Sequence, residues 1–281
     1  MIKQINFQNK LLSLDYNEEY IVIGDNKGFI YKYKDGIVSK IFYCDSPVSD
    51  VKIYQNDIFY ITWDGDLFRN DRSVNLCLGI AKGILLHKEL IYISIDLKVF
   101  VVSLDLEIVK IIDVPHKILC FGIADDKVIC GMNLPILGWI DGIYNFFTRN
   151  ISHETAILSI HTTKNLIYTG SVDGTVQRYE ISKIFKKSDE KLIPEKILFK
   201  NDKWTRNIYN EFIFSAGEVV FCYNDGLYKE LYSHKDDVMK VIKYKDKIFS
   251  IGLDSVMKIF TEEQVLDDEL EEIRKLNELF N

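Results

Sequence analysis

The stretch Tyr168-Thr169-Gly170-Ser171-Val172-Asp173-Gly174-Thr175-Val176-Gln177-Arg178-Tyr179 reads as a strand, a tight turn closed by an acid, and a returning strand. Variants of this turn recur along the chain. Aligned on Asp173, they fall at Lys27, Asp64, Asp96, Asn133, Asp173, Gly217 and Asp254, in steps of 37, 32, 37, 40, 44 and 37 residues. A repeat near 40 residues built from short strands predicts a β-propeller, here one of seven blades. Between the turns lie short runs rich in Val, Ile, Tyr and Phe, bounded by Asp, Gly, Ser and Lys, as in Lys247–Ile251 and Ser255–Phe260. Each unit holds material for four strands. Gly28, Gly65 and Gly174 follow the anchor, where a tight turn needs a residue that tolerates positive φ.

The seventh unit runs out after three strands, at Phe260, while the chain begins with an orphan strand, Ile2–Phe7. That strand is expected to complete the last blade, closing the ring without an open edge. Residues 1–260 are therefore read as one all-β propeller, and 261–281 as a separate helical tail.

Two further spacings carry a family resemblance. His153 and Asp173, like His234 and Asp254, lie 20 residues apart, with Thr169-Gly170-Ser171 or Ser250 just before the acid. The third strand ends in an aromatic: Tyr33, Trp139, Tyr179, Tyr223 or Phe260. The chain thereby resembles a degenerate seven-bladed WD-repeat propeller. The resemblance implies that His153, Ser171, Asp173 and Tyr179, and likewise His234 and Asp254, form a structural hydrogen-bond network rather than a hydrolase triad. A buried acid needs such partners, since an unpaired buried charge is costly. The runs Val48–Ile53 followed by Thr62–Gly65, and Val128–Asn133, resemble blades of spindle-checkpoint and mRNA-export propellers, where such a blade helps bind a short helical motif.

Charge narrows the function. Of the net −7, residues 262–278 hold −6, from eight acids against Arg274 and Lys275, leaving −1 on the propeller. A near-neutral body argues against broad phosphate-backbone binding. The lysines of the longest insertion (Lys183, Lys186, Lys187, Lys191) keep an RNA-associated propeller as the alternative, although Asp189, Glu190 and Glu195 dilute them. In the tail, Thr261 and Gln264 have capping-box spacing, and Leu266, Leu270, Ile273, Leu276 and Phe280 form one apolar stripe. This predicts an acidic amphipathic helix that either folds back or docks to a partner.

Five cysteines without a Cys-x-x-Cys pair read as free thiols in a reducing, intracellular compartment, cytoplasmic or nuclear. The remaining histidines have no metal-ligand spacing, and no Gly-rich phosphate loop is present. No cofactor, metal or catalytic residue is expected.

The residue before each anchor reads Asn26, Trp63, Ile95, Met132, Val172, Ala216 and Leu253, six of them apolar where turn tips are usually polar. These residues are expected to ring the upper mouth of the channel as an apolar patch that binds a protein segment, with Trp63 as anchor and Trp204 and Arg206 adding contacts.

Overall fold

A computed structural model of the chain describes residues 2–142, 145–186, 190–210, 213–224 and 227–261. These residues form seven four-stranded antiparallel sheets, each a blade. Blades one to six span residues 11–43, 48–75, 81–113, 118–150, 157–200 and 205–233, with consecutive strands paired in chain order. Blade seven contains Val238–Tyr244, Lys247–Gly252 and Val256–Thr261, and Lys3–Asn6 pairs with the last of these as its outer strand.

The closure expected from the orphan strand is thus present, in the register Lys3↔Ile259 to Asn6↔Val256. Hydrophobic packing fixes it. Ile5 and Phe7 pack against a core shared by blades one and seven, which includes Leu11, Ile21, Ile23, Phe249, Ile251 and Met257. Phe7 meets Tyr31 edge-on, with ring centroids 5.0 Å apart.

Each blade buries both of its faces, because a neighbour covers each one. The second strand shows this most clearly: Ile21–Asp25 is buried at every residue, as are all but the first residues of Asp57–Thr62 and Lys247–Gly252. Such strands read as continuous apolar runs rather than alternating ones.

The innermost strand of every blade carries a β-bulge at the same place, after its first residue. The extra residues are Leu12, Ser49, Lys82, Leu119, Leu158, Arg206 and Met239, one per blade. A bulge bends a strand and re-aims one side chain. Here the seven re-aimed residues all line a central cavity of about 340 Å³.

Thr261, expected to cap the C-terminal helix, is instead the last residue of the strand Val256–Thr261 and pairs with Lys247. The expected helix itself falls on residues outside those described. All five cysteines are free. Burial pushes the Cys44 thiol up to about 11 and that of Cys120 up to about 12, so neither is a thiolate near neutral pH.

Removing residues 1–8 takes the outer strand from blade seven and uncovers the Ile5–Phe7 contacts. The expected loss is about 3 kcal/mol or more, or roughly 6–12 °C in melting temperature, with aggregation through the exposed strand edge. Thermal unfolding of the truncated and complete chains checks this, and equal melting temperatures would contradict closure as a stability determinant.

Candidate functional site

The turns between second and third strands, and the loops from each outer strand to the next inner strand, lie on one face, called here the upper face. In blade five its turn is built from the predicted residues. His153 Nδ1 lies 2.9 Å from Asp173 Oδ2, and Nε2 lies 2.7 Å from Thr169 Oγ1. Asp173 also accepts from the Glu154 and Thr175 amides and from the Thr175 hydroxyl. The chain of bonds continues from Thr175 through Gln177 to the Tyr179 hydroxyl. Gly174 is required here: φ is 77°, and a Cβ would come 2.1 Å from the Asn201 carbonyl oxygen.

Ser171 joins this network beside Asp173 rather than on the imidazole. Its hydroxyl meets Thr155 and the Asp173 amide, and Thr169 takes the position on His153. Thr169 and Ser171 share one face of the strand, and position along it separates them: Ser171 is the last residue before the turn, past the ring. A serine removed from the imidazole is no nucleophile in a triad, and both His153 and Ser171 are fully buried.

Blade seven repeats the motif with His234, Asp254 and Ser250, but a different aromatic completes it. Tyr232, from the outer strand of blade six, donates to Ser250, while Phe260 has no polar group to offer. Blade one substitutes Asp25, which the sequence alignment passed over in favour of Lys27. Asp25 accepts from the Lys27 and Phe29 amides, the Tyr31 hydroxyl and Asn9.

Burial alone would raise the Asp173 carboxyl, but hydrogen bonds from His153 and Thr175 hold it well below the usual range. Asp254 is lowered against burial by the Lys235 amide and His234. Burial lowers His234 despite the opposing pull of Asp254.

The apolar ring is where the structure departs most from the sequence reading. Ile95 and Met132 are core residues, 1% and 0% exposed, and Ala216 is buried as well. Ile95 pairs with Ala81, Met132 with Ile118 and Ala216 with Thr205, as Ser171 pairs with Ile157. The residues equivalent to Val172 are therefore Asp96, Asn133 and Gly217. In blades three and six the turn is a tighter two-residue hairpin, Ile95↔Lys98 and Ala216↔Val219, so alignment on an acid or glycine moves the tip inward by one residue. In blade four Asn133 occupies the tip itself, and Leu134 holds the place of Asp173. Of the expected ring, Trp63 is exposed, and Val172 and Leu253 are half-buried.

Exposed apolar residues are nonetheless present on this face, largely at other positions: Trp63, Leu78, Ile80, Leu97, Leu134 and Trp204. Arg206 is not a free cation. It is bound to Asp237 through Nε at 3.0 Å and Nη2 at 2.6 Å, and its guanidinium lies 4.8 Å from the Trp204 ring centroid. It therefore fixes the orientation of Trp204 rather than offering charge.

The lysine-bearing insertion of blade five is tied down. Arg149 of blade four donates to the carbonyls of Lys183 and Lys186, Phe185 packs on Trp139, and Lys183 pairs with Glu180. Lys187 and Asp189 lie outside the described residues.

No protein-family model matches the chain, and no curated protein matches it in sequence. Solved structures do. A chain of the Mitotic Checkpoint Complex superimposes with a TM-score of 0.74 over 92% of this chain and 90% of its own length, at 11% identity. The Pan2 WD40 domain of Neurospora crassa gives a TM-score of 0.69 over 90% and 89%, at 9% identity. The computationally designed Ika8 protein gives 0.63 over 91% and 97%, at 13% identity. The fold is that of a WD40 propeller. Among the described residues no helix is long and apolar enough to cross a membrane.

Asp173→Ala leaves His153 and three further donors without their acceptor and should cost about 2–4 kcal/mol, whereas Ser171→Ala should cost about 1 kcal/mol. Acid should destabilise the fold in two steps. Because native His234 resists protonation, stability falls as pH drops below the ordinary imidazole value of about 6.5. Asp173 and Asp254 add a second loss below about 4, where the unfolded chain takes up protons first. Melting curves from pH 7 to 3 check the order, and His234→Gln should flatten the first step.

Proposed function

We infer that the protein is a non-catalytic interaction scaffold that holds a segment of another protein on the upper face of its propeller, within an intracellular complex. The observation that carries this reading is the group of large apolar residues exposed there. Monomeric proteins seldom expose contiguous apolar surface beyond a few hundred Å², and such patches mark interaction sites. Trp63 is the anchor, since tryptophan combines a large apolar area with few rotatable bonds and dominates binding energetics. The buried state of the His153–Asp173 pair supports a structural role for the residues that most resemble catalytic ones.

Trp63→Arg tests this directly. The side chain is 42% exposed at a turn tip, so stability should change by about 0.5 kcal/mol. At the centre of an apolar interface the same change should weaken binding by about 2 kcal/mol, roughly thirtyfold. Affinity purification with quantitative mass spectrometry, beside a melting curve, reads both quantities. Full recovery of every partner by a normally folded Trp63→Arg protein would remove the upper face as the binding site.

A further inference from the structure

The loop between blades two and three is built inside out. Residues 77 to 82 alternate: Cys77 and Gly79 are half-buried and Ala81 is buried, while Leu78, Ile80 and Lys82 are exposed. Leu78, at 91%, is the most exposed large apolar residue described, and Ile80 is 50% exposed.

The loop is pinned in this orientation from both sides. The carbonyl of Cys77 lies against Gly65, where a Cβ would come within 2.1 Å of it. Gly79 backs onto blade three, where a Cβ would lie 2.6 Å from Asp96 Oδ2 and 2.7 Å from Ile95 Cγ2. With glycine as the inward residue, the two larger neighbours cannot rotate in to be buried. The alternation continues into the inner strand, whose bulge turns Lys82 toward the mouth of the channel. Leu78, Ile80 and Lys82 therefore form a row that faces outward between the rim and the channel, on a loop that bends at Leu78 and Gly79 before the inner strand begins at Ala81. Trp63 and Leu97 belong to the turns that flank this loop.

Charge decides what fits the row. Several cations on this face are matched: Lys10 with Asp236, Lys117 with Asp96, Lys203 with Glu218, and Arg206 with Asp237. Lys82 has no ion pair among the described residues. The nearby Asp50 is buried, its carboxylate taken by the Ile84 and Val51 amides. A ligand covering the row must bring a carboxylate, because burying an uncompensated ammonium is costly.

A second copy of the row brings none. Thr261, the last described residue, ends a third strand and so lies on the opposite face.

We propose that Leu78, Ile80 and Lys82 form a docking row for an extended segment of another protein that carries two apolar residues and an acid at alternate positions, apolar-x-apolar-x-Asp/Glu in either direction. This rests on the upper face being a protein-binding surface, and it assigns the charge and spacing of what binds there.

Selection of a displayed random peptide library on the complete chain tests it. Enriched peptides should carry the alternating motif. The same selection on Lys82→Glu should replace the acid by Lys or Arg. A synthetic peptide of the strongest sequence should bind Lys82→Glu and Leu78→Asp at least tenfold more weakly, with unchanged melting temperatures, since both residues are exposed. Enriched peptides that lack the acid, an acid still selected on Lys82→Glu, or no enrichment at all would overturn the row. If such peptides nevertheless fail to bind Trp63→Arg, the upper face stands while the row falls. If they bind both Trp63→Arg and Leu78→Asp normally, both readings fail. Binding that emerges only after residues 262–281 are deleted would identify the chain's own tail as the occupant and overturn the proposal.

Discussion

The structure depends on one four-residue pairing, Lys3–Asn6 against Val256–Ile259. A propeller blade cannot bury its faces alone, because its core lies in the spaces between blades. The cluster joining blades one and seven contains residues from both ends of the chain, among them Leu11, Ile23, Phe249 and Met257. Closing the ring covers the first face of blade one and the last face of blade seven together. The N-terminal strand also occupies the outer edge of a sheet that would otherwise end at Val256–Thr261, an exposed apolar edge of the kind that invites pairing with other chains. Sequence separation makes this contact entropically expensive, but loop-closure entropy grows only slowly with length, so seven blades of burial readily exceed it.

Within that ring each blade solves the same local problem with different residues. A turn must lie beneath the loop from the neighbouring blade while its inward polar groups stay satisfied. Blades five and seven use a His–Asp pair, blade one uses Asp25 with Tyr31 and Asn9, and blade two uses Thr62 with the Asp66 backbone. The common requirement is an acceptor for the amides of the turn, not a particular residue. This explains why a repeat can degenerate so far in sequence while its geometry persists, and why sequence identities near 10% accompany superposition over nine-tenths of the chain.

The same tolerance set what could be read from the sequence. The repeat and the closing strand were legible because they rest on hydrophobic pattern and on unit counting. So was the pairing of His153 with Asp173, which rests on a fixed spacing. The turn tips were not legible, since Ile95 and Ala216 enter two-residue hairpins whose length does not show in composition, and Asn133 imitates an acid at a neighbouring position. Arg149 was missed because its role comes from carbonyls at the end of a short helix in the next blade. The outward row was missed for a related reason: a loop's facing depends on what its small residues press against. In Cys77-Leu78-Gly79-Ile80-Ala81 the small residues at alternate positions were the available signal.

That alternation also explains how the chain keeps an apolar surface without losing its fold. Glycine and alanine face inward where space is limited, so packing between blades two and three does not need Leu78 or Ile80. Their substitution would leave the core unchanged, and their retention brings no stability to the isolated protein. The bulge acts in the same sense on Lys82, taking it out of the ladder and into the channel mouth without disturbing Ala81 or Gly83 on either side. Surface chemistry at this position is thereby uncoupled from stability. Where a cation on this face is held in an ion pair, as Arg206 is by Asp237, that separation is lost. A binding surface placed where the scaffold is indifferent to side-chain identity can change its ligand while the seven-bladed ring beneath it stays the same.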